Sequence, residues 1–172
     1  RRRGGGGRGG GGDSVVDHRQ TLGGCAHVHA AVDAYSRVAY AELLADDKGG
    51  TCAEFWRRAC SWFADRGIRV EAVTTDNAMN YVRSRAFAAG LADTGVAHRR
   101  IPPRRPGLNG KVERFNRTLA DEWAYVRVYR SDHASTAALQ RWLHLYNHQR
   151  AHKSLGGQAP METISNLPGP YS

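Results

Sequence analysis

The sequence predicts an α/β layered domain in which helices pack on the faces of a mixed β-sheet. Two observations support this prediction: strand-like segments come first along the chain, and amphipathic helices then alternate with short apolar runs. The 172 residues suffice for one domain with a complete hydrophobic core. No internal repeat is visible in the chain.

The first predicted elements form a β-hairpin. Over residues 27–32, side chains alternate with the period of a half-buried strand. A turn at 33–36 then leads into a second strand over 37–44. His27 and His29 occupy alternate positions on the first strand without a third ligand nearby. We therefore expect surface or hairpin histidines there and assign them no metal.

An amphipathic helix follows the hairpin. Thr51 and Glu54 have the spacing of a capping box, in which each side chain bonds a backbone amide at the helix start. Apolar residues then recur at helical intervals and stop before Gly67. Cys52 and Cys60 fall on this apolar stripe. We expect both thiols to be core groups and not reagents.

The remaining elements alternate between strand and helix. Short β-branched or apolar runs predict strands over 68–75 and 96–101. Helices are predicted over 83–93, from Lys111 onward, and over 136–147. The last helix is predicted to bury four residues at helical spacing, namely Leu139, Trp142, Leu143 and Tyr146.

Charge and composition narrow the class of protein. Lys and Arg number 25 against 16 Asp and Glu, and this net charge of +9 favours polyanionic partners. No apolar run approaches the roughly 20 residues of a membrane-spanning helix, and no signal-peptide core begins the chain. The three cysteines lack both disulfide and zinc-finger spacing. A cytoplasmic protein without a membrane partner is expected.

The N-terminus differs in composition from the rest. Residues 1–12 comprise four arginines and eight glycines, and such a segment is predicted to be disordered. An Arg/Gly tail can bind nucleic acid, although a flexible leader is at least as good an interpretation. The predicted organisation is an Arg/Gly-rich leader and variable segment over 1–24, a core over 25–160 and a tail over 161–172.

Two acidic residues are candidates for metal binding. Asp76, followed by Asn77, ends an apolar strand, and sites in α/β sheets lie at the carboxyl ends of strands. Glu113 lies in the first turn of a predicted helix, where the helix dipole favours its charge. Asn116 and Arg117 follow at i+3 and i+4, so they share a face with Glu113. We expect a polar working face on this helix.

Phosphodiester chemistry with divalent ions suits such carboxylates. Mg²⁺ binds through one or two carboxylates together with water and substrate phosphate. The anionic substrate requires a basic rim, and binding to it should weaken steeply with salt. Seven cations within residues 98–117 supply that rim, namely Arg99, Arg100, Arg104, Arg105, Lys111, Arg114 and Arg117.

Four segments in order resemble one family. They are A-V-D-A-Y-S-R-V-A-Y-A-E at 31–42, T-D-N at 75–77, P-P-R-R-P-G-L-N-G-K-V-E-R-F-N-R-T-L at 102–119 and W-L-H-L-Y-N-H-Q-R-A-H at 142–152. The similarity, over roughly 25–160, is to the integrase core of IS481/IS3-type insertion-sequence transposases. It implies a ribonuclease H-like fold, Mg²⁺ or Mn²⁺, transposon-end and target DNA as partners, and a homo-oligomer in the synaptic complex.

The resemblance implies an Asp-Asp-Glu triad. Asp76 matches the second acid and Glu113 the third, with 36 residues between them, about one more than is usual in the family. Asp33 matches a hairpin-turn position outside the triad. Asp17, after two valines, is a candidate for the first acid. The favoured alternative is that residues 1–24 follow a first strand that is itself absent.

Three functional hypotheses follow. In the first, the chain is an integrase core that cleaves and joins DNA, with Arg104, Arg105, Lys111, Asn116 and Arg117 binding the DNA. In the second, it is an N-terminally truncated, catalytically inactive remnant that only binds DNA. In the third, it is an RNA-binding protein that depends on its Arg/Gly tail. A nuclease assay separates the first two, and deletion of residues 1–12 tests the third.

Overall fold

The structure is a computed structural model, and it describes residues 12–17, 21–22, 26–75, 81, 83–101, 110–124, 129 and 131–165. For residues 12–17, 21–22 and Ser165, only the backbone is described.

A mixed sheet forms the centre of the described fold. Its strands are β1 (Gly12–Asp17), β2 (Thr21–Leu22), β3 (Ala26–Asp33), β4 (Ala39–Leu44), β5 (Val70–Thr75) and β6 (Ala97–Arg100). Strand β3 pairs antiparallel with β4 on one edge and with β1 and β2 on the other. Strands β1, β5 and β6 run parallel to one another. The described sheet therefore joins an antiparallel half to a parallel half through β1.

The helices lie between and after these strands. They are α1 (Gly49–Ala64), α2 (Arg85–Thr94), α3 (Gly110–Leu119), α4 (Asp132–His148) and α5 (Pro160–Ser165). A π-helical turn, Ala120–Ala124, extends α3, and a 3₁₀ turn, Lys153–Leu155, follows α4. The mixed α/β layered architecture predicted from the sequence is thus confirmed.

Strand β1 corrects the expectation that the first strand is absent and that residues 1–24 all lie outside the fold. Gly12–Asp17 pairs with β3 on one side and with β5 on the other. Its backbone groups therefore find partners on both edges, which satisfies the hydrogen-bonding requirement of a buried strand. The predicted disorder of residues 1–11 lies outside the described residues.

Helices cover both faces of the sheet. On one face, α3, its π-helical extension and α4 pack on alternate residues of β3, including Val28 and Val32. On the other face, α1 and α2 pack on Ala31 of β3 and Val73 of β5. The prediction of a half-buried first hairpin strand is therefore wrong, because residues 28–33 are all buried.

His29 shows the consequence of this double covering. Its side chain is fully buried, and its ring lies 5.4 Å from that of Phe55 on α1. His29 therefore lies in the hairpin, which was one of the two expected alternatives, but not at the surface. Nε2 donates to the carbonyl oxygen of Asp46 at 2.8 Å, because a carbonyl can only accept.

Helix α1 begins differently from the predicted capping box. It starts at Gly49, and its N-cap, Lys48, makes no side-chain cap. The Thr51 hydroxyl instead donates to the Asp46 carboxylate at 2.5 Å, so the predicted Thr51–Glu54 box is wrong. The apolar stripe itself is confirmed, with Cys52 buried and Cys60 partly buried.

Candidate active site

The carboxyl ends of β1 and β5 lie side by side. These strands are parallel, and their register pairs Val16 with Thr75. Asp17 is the residue after Val16 and ends β1, where it pairs with Ala30 of β3. Asp76 is the residue after Thr75 in the sequence, and it lies outside the described residues. In the sequence, an aspartate therefore directly follows each of the two residues of this cross-strand pair.

Two contacts hold the end of β5. The Thr75 side chain is fully buried, with Oγ1 2.8 Å from Nε2 of His98 on β6. The amide of Ile101 donates to the Thr75 carbonyl at 3.1 Å. Burial, assisted by Arg100, lowers the pKa of His98 and so favours the neutral imidazole. The residue that precedes Asp76 is therefore anchored through backbone and side chain.

Helix α3 presents the predicted polar face. Val112, Phe115 and Leu119 are buried, and the helix packs against β3 and β1. Glu113 and Arg117 are exposed. The helical period accounts for this division, because apolar residues at i, i+3 and i+7 share one stripe. The amphipathic character predicted for this helix is confirmed.

The start of α3 is tied to the β3–β4 turn. Lys111 Nζ donates to the carbonyl oxygen of Ala34 at 2.8 Å. The turn itself is closed by Asp33, whose Oδ2 accepts from the backbone amide and the hydroxyl of Ser36 at 2.7 and 2.6 Å. The buried Asp33 therefore has the structural turn role that the sequence suggested.

The predicted site residues differ in how far the structure describes them. Glu113 and Arg117 are exposed on α3, Asn116 is partly buried there, and Lys111 lies at the helix start. The strand backbone of Asp17 is described. Asp76, Arg104 and Arg105 lie outside the described residues. Among the side chains that the structure describes, no three acidic, histidine or cysteine residues form a metal-binding group. The triad therefore stays a prediction.

One basic surface was incompletely predicted from the sequence. Arg37 and Lys153, which are far apart in the sequence, line one concave surface with Lys111 of α3. The run R-A-H-K at 150–153 carried part of this signal. Trp142 and Tyr146, suggested both as a stacking platform and as core residues, are buried, so their core role is confirmed.

These features define the class of the protein. Three antiparallel strands continue through β1 into parallel β5 and β6, with helices on both faces, and this is a ribonuclease H-like fold. The chain belongs to the integrase core domain family. One family profile of that description matches residues 11–106, and a second of the same description matches residues 94–160.

Two relatives agree with this assignment. The chain is 27% identical to the "Putative integrase ORF3" of Spiroplasma virus SpV1-C74 over 112 residues, which is 59% of the chain and 31% of that relative. It is 33% identical over 95 residues to the "Insertion element IS476 uncharacterized 39.2 kDa protein" of Xanthomonas euvesicatoria, covering 55% of the chain and 27% of the relative. The matched regions thus span about three tenths of either relative. The resemblance to an insertion-sequence integrase core is confirmed.

Among the described helices, none has the length and hydropathy of a bilayer-spanning segment.

Proposed function

We propose that this chain is the catalytic core of an insertion-sequence transposase that cleaves DNA and joins strands with divalent metal. Asp17, Asp76 and Glu113 would hold Mg²⁺ or Mn²⁺. The observation that carries the proposal is the parallel pairing of Val16 with Thr75, each directly followed by an aspartate in the sequence. The carboxyl ends of parallel strands lie at the same edge of the sheet, and binding sites in α/β domains lie at that edge.

Helix α3 supports a role for Glu113 as the third ligand. The helix packs on β1, the strand that Asp17 ends, and its first turn carries Glu113 exposed. The donor set also fits the metal, since hard divalent cations prefer carboxylate oxygens. Two such ions, when bound, stabilise the attacking and leaving oxygens of a displacement at phosphorus.

The other proposed residues act on the DNA. Arg117 shares the exposed side of α3 with Glu113, and it would contact a phosphate beside the reacting one. Asn116 would orient the same strand by hydrogen bonding. The phosphate backbone of the DNA would be attracted by three cations, Arg104, Arg105 and Lys111. Their binding would release counterions from the DNA. The substrates would be transposon ends and target DNA, bound by a homo-oligomer at the bacterial nucleoid.

The competing proposal is a catalytically inactive remnant that only binds DNA. It requires that no aspartate occupy the first position of the triad. The pairing of β1 with β5 favours the active form, because Asp17 ends the strand next to the one that precedes Asp76. A direct test of Asp17 therefore decides between the two proposals.

The experiment measures nicking of supercoiled plasmid by the full chain, with and without Mg²⁺ or Mn²⁺. Asp17→Asn, Asp76→Asn and Glu113→Gln should each abolish metal-dependent nicking while DNA binding persists. Asp13→Asn is the matched control, because Asp13 lies on the same strand at a register position opposite Ala72, about 13 Å from Asp17 along the strand. This control should nick like the wild type.

Metal binding gives a second readout. Mn²⁺ should raise the thermal unfolding midpoint of the wild type and of Asp13→Asn, since a ligand that binds only the folded state stabilises it. The three triad variants should show a smaller rise. A wild type that binds DNA but neither cuts it nor responds to Mn²⁺ would identify the remnant instead.

A further inference from the structure

A concave basic site lies beside α3. It encloses about 450 Å³ between the start of α3, the turn after β3 and the segment that follows α4. We call it the basic pocket and define it by six lining residues, namely Arg37, Lys111, Arg114, Arg150, His152 and Lys153. None of the described residues that line it is Asp or Glu.

The basic pocket and the candidate active site use different sides of α3. Successive residues in an α-helix are rotated by about 100°. Lys111 and Arg114 therefore project from one side, and both line the pocket. Glu113 and Arg117 project about 110° further round the helix and are absent from the lining. A ligand in the pocket would thus contact a neighbouring part of the helix surface and not Glu113 itself.

Part of the pocket's positive charge has no acidic partner among the described residues. Arg150 forms an ion pair with Glu122, which lies outside the lining. Arg37, by contrast, donates to the carbonyl oxygen of Ala34, a neutral group.

Two further cations add to this excess. Within the part of the chain that the structure describes, neither Arg114 nor Lys153 makes a side-chain hydrogen bond or ion pair. Five cationic side chains facing one concavity repel each other, and an anion would relieve that repulsion.

His152 supplies an independent indication of a missing polar partner. Its Nε2 is buried and has no hydrogen-bond partner among the described residues. Its ring lies edge-on to that of Tyr146, with centroids 5.1 Å apart. A buried ring nitrogen without a partner is unfavourable, so a group that bonds it would stabilise the site. Burial, then Arg150 and Arg37, lower the pKa of His152, and a bound anion would oppose this shift.

An exposed aromatic residue adjoins the pocket. Tyr35, at the tip of the β3–β4 turn, is 63% exposed. It lines a neighbouring cleft of about 510 Å³ that shares Arg37, Lys111 and Ser154 with the basic pocket. Base stacking on an aromatic ring beside a cationic groove is how proteins bind single-stranded nucleic acid without reading its sequence. Paired bases inside a duplex do not offer their faces in this way.

We propose that the basic pocket binds a backbone phosphate of a single-stranded DNA segment, whose adjoining base stacks on Tyr35. This inference rests on the proposed function for the identity of the nucleic acid, and it is independent of the metal ligands. It gives α3 two roles, with Glu113 at the reaction and the neighbouring Lys111 and Arg114 holding the single strand that flanks the cleaved end.

The test measures binding of a fluorescein-labelled oligodeoxythymidylate to the full chain by anisotropy over a range of salt concentrations. The double variant Arg114→Gln/Lys153→Gln should weaken binding and lower the slope of log K against log salt by about 0.7, the value for one lost phosphate contact to a single strand. The matched control is Arg69→Gln/Arg85→Gln, which removes two exposed cations outside the pocket lining. An equal loss of affinity in both double variants would overturn the proposal that the basic pocket binds the single strand.

Tyr35 is tested separately. Tyr35→Ala should weaken oligodeoxythymidylate binding between about fivefold and a hundredfold, the range for one stacked base, and leave the salt slope unchanged. Tyr35→Phe retains the ring and should bind like the wild type. If Tyr35→Ala binds like the wild type, or if blunt duplex binds as tightly as the single strand, the stacking assignment is overturned.

A third experiment follows the NMR signal of the His152 ring during titration with oligodeoxythymidylate or with inorganic phosphate. Saturating oligodeoxythymidylate should shift this resonance and raise the pKa of His152, whereas inorganic phosphate should do so only at much higher concentration. If inorganic phosphate binds as tightly and displaces the oligonucleotide, the pocket is a free-phosphate site and the DNA assignment fails.

The outcomes separate this inference from the proposed function. Glu113→Gln should lose nicking and keep pocket-dependent binding. If the wild type nicks plasmid but the pocket variants bind and nick like the control, only the pocket inference fails. If binding depends on the pocket but no nicking occurs, only the proposed catalysis fails.

Discussion

The side-chain amide of Asn147 hydrogen bonds to both backbone polar groups of Ala39, 108 residues away in the chain. Asn147 Nδ2 donates to the Ala39 carbonyl at 2.8 Å, and Oδ1 accepts from the Ala39 amide at 2.9 Å. Strand β4 pairs only with β3 among the described strands. The amide from α4 therefore acts as a local substitute for the next strand.

Replacing Asn147 by Leu should destabilise the protein by about 2 to 5 kcal/mol. The change leaves the amide and the carbonyl of Ala39 buried without partners, at about 1–3 kcal/mol for each group. Urea unfolding followed by far-UV circular dichroism measures the loss. Gln140→Ala is the control, because this exposed α4 side chain donates to the Ala41 carbonyl at a long 3.5 Å. The control should cost less than about 0.5 kcal/mol, and equal losses would contradict the interpretation.

His29 should make the stability fall in mild acid. Burial lowers the pKa of His29 below its ordinary 6.5, although the bond to the Asp46 carbonyl opposes this. Between the lowered pKa of the folded state and the ordinary value of about 6.5, the unfolded chain binds a proton at His29 that the folded chain does not. The free energy of unfolding therefore falls as the pH drops below about 6.5. His29→Gln should show a flatter pH dependence in urea unfolding between pH 7.5 and 5. An unchanged slope would show that His29 is not the responsible group.

Helices α1 and α2 pack closely at Gly90. A Cβ on Gly90 would lie 3.2 Å from the Ala53 Cβ and 3.4 Å from its backbone. Gly90→Val should therefore destabilise the protein by about 1–3 kcal/mol through overpacking. Ala89→Val, which adds the same side chain at an exposed position of the same helix, should cost about 0.5 kcal/mol. Thermal unfolding compares the two, and equal midpoints would contradict close packing.

Cys60 should be a slow nucleophile. Burial raises the pKa of its thiol to about 11, and a hydrogen bond with Thr94 opposes this only partly. At pH 8, about one molecule in a thousand then carries the reactive thiolate. Iodoacetamide should label Cys60 at least about tenfold more slowly in the folded protein than in urea. Peptide mass spectrometry resolves the three cysteines. Equal labelling rates of Cys60 in the folded protein and in urea would show that its thiol is accessible and that its pKa is not raised.

Local periodicity explains why most elements could be predicted. The stripe of α1, the polar and apolar sides of α3 and the buried Trp142 and Tyr146 all repeat at intervals of three and four residues. A helix buries one stripe wherever it packs, so the pattern survives without knowledge of its neighbours. The run that precedes Asp76 was predicted as a strand from its β-branched residues, which is also a local signal.

Other features depend on which elements meet. The alternation in β3 suggested one covered face, but helices from later in the chain cover both faces, which buries His29. The predicted capping box failed because Asp46 competes for the Thr51 hydroxyl. It was also not predicted from the sequence that Arg37 and Lys153 would line one pocket.

Local spacing and composition were enough to predict the helices and the strands from β3 onward, the basic character of the chain and its resemblance to integrase cores. The position of Gly12–Asp17 between β3 and β5, which pairs Val16 with Thr75, followed from the folded structure alone. The same holds for the approach of Arg37, Lys111 and Lys153 around one pocket. Strand register and the approach of distant cations follow from long-range packing, which no local window of sequence contains.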